Sequence, residues 1–315
     1  MNKHQQIQYV EQDAERMICR AEMKHARAAI RSWWILYLLY VPVLFTLVCV
    51  LSAPALVLLL PFGGVFLALI KKAKERYRKA FKQVYVQQAL ESLLSAVTYE
   101  PKGHISAQII DGTKIFPGRY QYGSGGEDYI SAQYKTVGFT QSDVHIEYAL
   151  EHTHMGTNQS PINVFKGRWM IFQFNKRFSS RLMVVQKGFH NTKTKLAFEF
   201  DASLFEPVEL ESASFNSTFR VYAGKQHEAF YLLTPPLMEQ MQKLADCCKG
   251  NLLFCFEQNR LHILIQTRKN AFEPVGAFKS LRDEAICQKL RDEIEGITQF
   301  IDVLSLDNDL FVQED

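Results

Sequence analysis

Between Trp33 and Ile70 the chain runs for 38 residues without an Asp, Glu, Lys, Arg or His. A membrane span needs roughly 20 apolar residues, so the run is long enough for two. It divides near Ser52-Ala53-Pro54 into Trp33–Leu51 and Ala53–Ile70. At ~1.5 Å rise per residue each piece is about 27–29 Å long as a helix, close to the ~30 Å hydrocarbon core. Trp33, Trp34, Tyr37 and Tyr40 suit an interfacial aromatic belt. Pro42, Pro61 and Gly63-Gly64 fall inside the spans, where neighbouring helices can satisfy the backbone groups they free.

Outside this run the apolar positions take two other periods. Over 3–32, Ile7, Val10, Ala14, Met17, Ala21 and Ala28 recur at spacings of three, four and seven, one stripe of a helix. A second helix is predicted over 71–98, with Ala73, Tyr77, Ala80, Phe81, Val84, Leu90, Leu93, Leu94 and Val97 as its apolar face. The two segments are expected to pack as an antiparallel stalk that continues the membrane hairpin. Glu100-Pro101-Lys102-Gly103 breaks the helix. Strands then read at Tyr129–Val137, Val144–Leu150, Gly167–Phe174, Arg181–Gln186, Phe219–Ala223 and Ala229–Leu233. Thr234-Pro235-Pro236 opens a helix with Leu237, Met241, Leu244 and Ala245 buried. Leu252–Glu257 and Leu261–Thr267 flank Gln258-Asn259-Arg260 as a hairpin. Ser280 followed by Asp283 resembles a capping box before a last helix through Leu304.

This order predicts an α+β fold: a mainly antiparallel sheet with covering helices behind an N-terminal two-helix transmembrane hairpin with helical extensions. The expected divisions are an N-terminal cytoplasmic helix (1–32), a transmembrane hairpin (33–70), a juxtamembrane helix (71–98), a cytoplasmic α+β domain (99–305, divisible into two near 190–215) and an acidic tail (306–315).

Charge sets the orientation. Lys3, Arg16, Arg20, Lys24, Arg27 and Arg31 precede the run, and Lys71, Lys72, Lys74, Arg76, Arg78, Lys79 and Lys82 follow it, with Glu75 the one acid among the latter. The connection between the spans is uncharged, so the positive-inside rule puts both ends in the cytoplasm. The seven cations from Lys71 to Lys82 form a membrane-surface cluster facing anionic lipid headgroups. The net charge of +3 is small for 315 residues. It gives no reason to expect a nucleic-acid partner.

Candidate chemistry is sparse. His145, Glu147, Glu151, His152 and His154 are the densest group of nitrogen and oxygen ligands and could bind a metal; a solvated strand edge explains them as well. Gly123-Ser124-Gly125-Gly126 lacks the lysine of a phosphate loop and reads as a turn. Phe165-Lys166-Gly167-Arg168-Trp169 mixes basic and aromatic residues and reads as a turn entering a buried strand. The six cysteines match no zinc or redox spacing; Cys247, Cys248 and Cys255 read as small core residues. No elbow, kinase or zinc-protease motif occurs, so no reaction is named and no cofactor is expected.

Several pieces together carry a resemblance: Tyr99-Glu100-Pro101, Gly126-Glu127-Asp128-Tyr129, Ser142 to Glu147, Phe165-Lys166-Gly167 with Phe172 to Lys176, Leu232-Leu233-Thr234-Pro235 and Phe272-Glu273-Pro274. In this order they resemble a bacterial membrane-protein family known by the number 3137 among the domains of unknown function. The resemblance covers about residues 70–305 and the preceding hairpin. It implies a bacterial inner-membrane protein with a cytoplasmic domain and supplies no activity. The expectation is a membrane-anchored interaction or scaffold protein with a protein partner, engaged through a strand edge, or a homo-oligomer. The alternative is a membrane-tethered ligand or metal sensor, or an enzyme, built on the His145–His154 region.

Overall fold

A computed structural model describes residues 3–50, 54–116, 120–121, 125–148, 162–173, 179–190, 205–267, 270–279, 283–304 and 306. The chain forms two compact units, Met1–Ser92 with Phe272–Asp292, and Leu93–Ala271 with Glu293–Asp315.

The first unit is built on α1 (Lys3–Val50) and α2 (Pro54–Phe81). The two helices run antiparallel against each other. Phe66 lies 6.0 Å from Trp33 and 5.6 Å from Tyr40 between ring centroids, and further down Cys19 meets Gln83. Met23, Ala26 and Ile30 of α1 and Ile70, Ala73, Tyr77, Ala80 and Phe81 of α2 are buried. The α1 stripe expected from Met17, Ala21 and Ala28 is corrected: Met17 is 71% exposed, and both alanines are exposed as well. Met23, Ala26, Arg27 and Ile30 have helical spacing too, and they form the buried face instead.

The helix predicted over 71–98 is also corrected. It passes through a π turn (Lys82–Val86), resumes as α3 (Gln87–Leu93), and gives way to a strand at Ser95. Val97, Thr98 and Tyr99 favour extended backbone, and pairing with the sheet decides the matter. A π turn advances the helix by an extra residue and rotates its buried face; here Lys82, Val84, Tyr85 and Val86 are all buried.

The second unit is one antiparallel sheet. Among the described residues nine strands follow the order β1-β3-β4-β5-β10-β9-β6-β8-β7, and the short β2 (Tyr120–Gln121) pairs with β4. The strands are β1 (Ser95–Glu100), β3 (Gly126–Tyr134), β4 (Val137–Tyr148), β5 (Ile162–Gln173), β6 (Leu182–Gln186), β7 (Glu206–Val208), β8 (Phe219–Ala223), β9 (Asn251–Glu257) and β10 (Arg260–Gln266). Its helices are α4 (Ala107–Thr113), α5 (Ala213–Thr218), α6 (Gln226–Leu232), α7 (Pro235–Cys247) and the later part of α8 (Asp283–Leu304).

The strand expected over Ala229–Leu233 is α6, a short apolar run of a kind that periodicity alone does not resolve. Lys135, at φ 53°, makes the turn that separates β3 from β4, so Val137 opens a new strand. The β9–β10 hairpin stands as expected, with Gln258 at φ 52° in its turn. The Ser52-Ala53 turn and the Ser280 cap lie outside the described residues.

Alternation gives the sheet two buried faces. One carries Val144, Ile146, Trp169, Ile171, Leu264, Cys255, Leu253, Met183 and Val185, and is packed by Ile105, Ile110, Ile115 and Phe116 from the α4 region. The other carries Gln141, Asp143, Arg168, Met170, Phe172, Ile263 and Phe254. Phe215 of α5 stacks on Phe219, which meets Phe254 edge-on. The Glu293 carboxylate of α8 lies 3.8 Å from Arg168 of β5, and Asp302 lies 2.8 Å from Lys135. Fully burying one such aromatic or aliphatic side chain stabilises the fold by about 1.5–3 kcal/mol.

Candidate functional site

Two groups of residues stand out chemically, one on each unit. On the first unit, α1 exposes Ile35, Leu36, Leu38, Leu39, Val41, Val43 and Phe45, and α2 exposes Val65 and Leu67. Leu38 is 64% exposed and Phe45 67%. This belt ends at a basic collar. Of the cluster expected at the membrane surface, Lys71, Lys72, Lys74, Arg76 and Lys79 are exposed, Arg78 is half-buried, and Lys82 is buried in the π turn. The Lys74 ammonium lies 5.8 Å from the centre of the Trp34 ring, where belt and collar meet. Helix α1 is long and apolar enough to cross a membrane over Met17–Leu47.

Beside the collar, the segment after Phe272 is tied to both helices. The guanidinium Nε atoms of Arg27 and Arg31 both donate to the Ala277 carbonyl, at 2.8 and 2.7 Å. The Tyr77 hydroxyl donates to the Val275 carbonyl at 2.9 Å. Arg78 pairs with Glu273, and Lys289 of α8 donates to the Glu273 carbonyl.

On the second unit, a polar group is buried on the face of β4 and β5 that Glu293 of α8 approaches at Arg168. Gln141 is fully buried, and neither its amide nitrogen nor its oxygen has a hydrogen-bond partner among the described residues. Two residues on along β4 and on the same face, the Asp143 Oδ2 accepts from the Ala271 backbone N–H at 2.5 Å. Arg168, its cross-strand neighbour, approaches Asp143 only to 3.9 Å. Burial pushes the Asp143 carboxyl up to about 6; Arg168 and the Ala271 N–H oppose the shift, while Asp128 and Glu127 add to it. Asp128, also buried at φ 60°, accepts from the Tyr99 hydroxyl at 2.6 Å. Asn270 donates to Glu127. These contacts fix the stretch Asn270-Ala271 to β3 and β4. Sequence reasoning missed Gln141 and Asp143 because the expected strands stop at Val137 and resume at Val144, whereas both residues lie inside β4 on a covered face.

The residues singled out as metal ligands fare differently. His145 and Glu147 lie along β4 with Nε2 and Oε1 3.4 Å apart, both partly exposed. Desolvation and the neighbouring Lys166 lower the His145 pKa, and Glu147 opposes them. Glu151, His152 and His154 lie outside the described residues. Among the described residues no three His, Cys, Asp or Glu side chains are grouped as a metal site. Two of the cysteines, Cys248 and Cys255, are not activated. Burial pushes the Cys255 thiol far up and Cys248 to about 11, so both stay protonated at neutral pH. Cys247 ends α7 but is exposed, which corrects its reading as core.

With this geometry in hand, comparison with known proteins places part of the chain. Residues 163–306 match the family described as Protein of unknown function (DUF3137). The match runs from β5 to beyond α8, and it bears out the resemblance carried by Phe165-Lys166-Gly167, Leu232 to Pro235 and Phe272-Glu273-Pro274. The pieces from Tyr99 to Glu147 fall outside it. No curated protein and no solved structure matches the chain.

Proposed function

We propose that this is a membrane-anchored interaction or scaffold protein. Its α1–α2 hairpin crosses the bilayer twice over residues 33–70, both chain ends face the cytoplasm, and the sheet unit is held at the membrane surface for a protein partner. The observation that carries this reading is the apolar belt ending at the basic collar. A row of leucine, isoleucine, valine and phenylalanine side chains exposed on two paired helices is costly in water and favourable in lipid. Cations just beyond it suit an anionic leaflet, at ~1 kcal/mol each near the surface.

A protein partner is supported by α6, where Phe230 is 53% and Tyr231 71% exposed. Exposed aromatic residues of this kind are frequent anchors of protein interfaces. The strand-edge route has less support, since β7 at one end of the sheet is three residues long and contains Pro207.

The test is extraction of membranes with alkaline carbonate and then with detergent. The protein should resist the first and require the second. In sealed vesicles of known orientation, cysteines placed at positions 12 and 240 should both label from the cytoplasmic side. Release by carbonate, or labelling of the two positions from opposite sides, would overturn the hairpin anchor. Phe230→Ala with Tyr231→Ala should remove any stoichiometric partner retained by the wild type and leave membrane extraction unchanged.

A further inference from the structure

The valley between α1 and α2 at the height of the basic collar has the features of a ligand site. Its α1 wall is Glu22, His25, Ala26, Ala29 and Trp33, and its α2 wall is Leu69, Lys72, Ala73, Arg76, Lys79 and Ala80. The positions step by three and four along each helix, so each wall is a single face. The cavity measures about 780 Å³, within the roughly 300–1,000 Å³ usual for small-ligand pockets.

Its chemistry is graded along its length. Alanines form the floor: Ala26, Ala73 and Ala80 are buried, and their small size leaves the room that a leucine at the same positions would fill. Lys72, Arg76 and Lys79 stand over it against one carboxylate, Glu22. At the end nearest the uncharged run the walls become Trp33 and Leu69.

Another side of α2 is covered by the chain itself. There a smaller hollow of about 360 Å³ has Lys71, Lys74, Glu75 and Arg78 of α2 facing the segment from Glu273 to Ala277. The Glu273 carboxylate pairs there with Arg78, while the Val275 carbonyl accepts from Tyr77 and the Ala277 carbonyl from Arg27 and Arg31 of α1. The α1–α2 valley has three cations, Lys72, Arg76 and Lys79, and among the described residues its lining comes from the two helices.

We infer that this valley binds one anionic phospholipid, with its phosphate among Lys72, Arg76 and Lys79 and its acyl chains running past Trp33 and Leu69 onto the apolar belt. This rests on the membrane reading above and adds to it a defined one-to-one site in place of diffuse attraction to the leaflet. A lipid is favoured over a soluble phosphate because the cationic wall is continuous with apolar surface at one end only. A charged head with an apolar tail matches that gradient.

The test is native mass spectrometry of the delipidated full-length protein in neutral detergent, titrated with phosphatidylglycerol or phosphatidylcholine. One phosphatidylglycerol should be retained, at least tenfold more tightly than phosphatidylcholine. Lys72→Ala with Arg76→Ala should weaken it at least fivefold. Lys71→Ala with Lys74→Ala, the same charge change on the other side of α2, should weaken it less than twofold. Ala29→Leu, which narrows the valley and keeps every charge, should also weaken it at least fivefold.

Equal losses from the two lysine-containing pairs, an Ala29→Leu variant that binds normally, or displacement of the lipid by millimolar glycerol phosphate would each overturn the site. Those results would leave the anchor standing. A protein that stays dispersed without detergent would remove the anchor itself.

Discussion

The indole N–H of Trp169 donates to Nδ1 of His262 at 3.2 Å, and both side chains are buried within the sheet unit. The contact requires an unprotonated Nδ1 on His262. Desolvation, with a smaller contribution from Arg260, lowers the His262 pKa to about 3. The unfolded chain binds this proton below about 6.5 and the folded chain does not, so His262 lowers stability as pH falls from 6.5 towards 3. Asp143 acts in the opposite sense. Its folded pKa of about 6 lies above the ordinary value of 3.8, so the folded state binds the extra proton and gains stability as pH falls from 6 to 4.

The two single variants should therefore show opposite slopes. Relative to the wild type, His262→Gln removes the histidine contribution and should gain stability from pH 6 to 4. Relative to the wild type, Asp143→Asn removes the carboxyl contribution and should lose stability over the same window. Each slope is bounded by ~1.4 kcal/mol per pH unit. Denaturant unfolding of the detergent-solubilised protein at pH 4, 5 and 6 measures both; slopes of the same sign would refute the assignment.

Gly167→Ala should be severely destabilising, by ~3 kcal/mol or more. A Cβ at this position would stand 2.0 Å from the Ile265 carbonyl oxygen, on the backbone of the paired strand β10. Only movement of the strand relieves such a clash. A thermal melt indistinguishable from wild type would show that β5 and β10 are not so closely apposed.

Tyr77→Phe should loosen the segment that follows Phe272. It removes the donor to the Val275 carbonyl and leaves the packing of the ring in place, at a cost of about 0.5–1.5 kcal/mol. Hydrogen exchange at Val275 to Ala277 should accelerate while β9 and β10 stay protected. Unchanged exchange there would mean that Arg27 and Arg31 hold the segment without help.

Ser142→Ala leaves the buried Ile105 N–H without the hydroxyl that now accepts from it at 3.0 Å. An unsatisfied buried donor costs about 1–3 kcal/mol. Ser142→Thr keeps the hydroxyl and should recover part of the loss; equal melting of all three proteins would place the hydroxyl outside the stability of this corner.

The elements that were legible in the sequence share a long, unambiguous period. Leu237, Met241 and Leu244 of α7, and Ile286, Leu290, Ile294, Ile297 and Ile301 of α8, repeat over several turns, and all are buried. Ala229–Leu233 was misread because five apolar residues fit a strand or a helix equally. The α1 stripe was misread because two apolar faces coexist, and only the partner helix decides between them. Gln141 and Asp143 carried no local signal. Their burial is set by the helix covering that face of the sheet, a relationship between residues more than 100 positions apart. Arg168 was visible as a basic residue in an aromatic stretch, but its neighbours Asp143 and Glu293 come from β4 and α8 and could not be read from that stretch.

The two ends of the sheet bear on the proposed anchor. A bilayer confines its proteins to a plane, where like chains collide far more often than in bulk solution. An open strand is then a standing invitation to polymerise. At one end Pro207 offers no backbone donor. At the other, Ala96 in the left-handed region at φ 49° and the register shift between Ser95 and Thr98 interrupt the edge. Among the described residues, both ends of the sheet thus resist growth by strand addition.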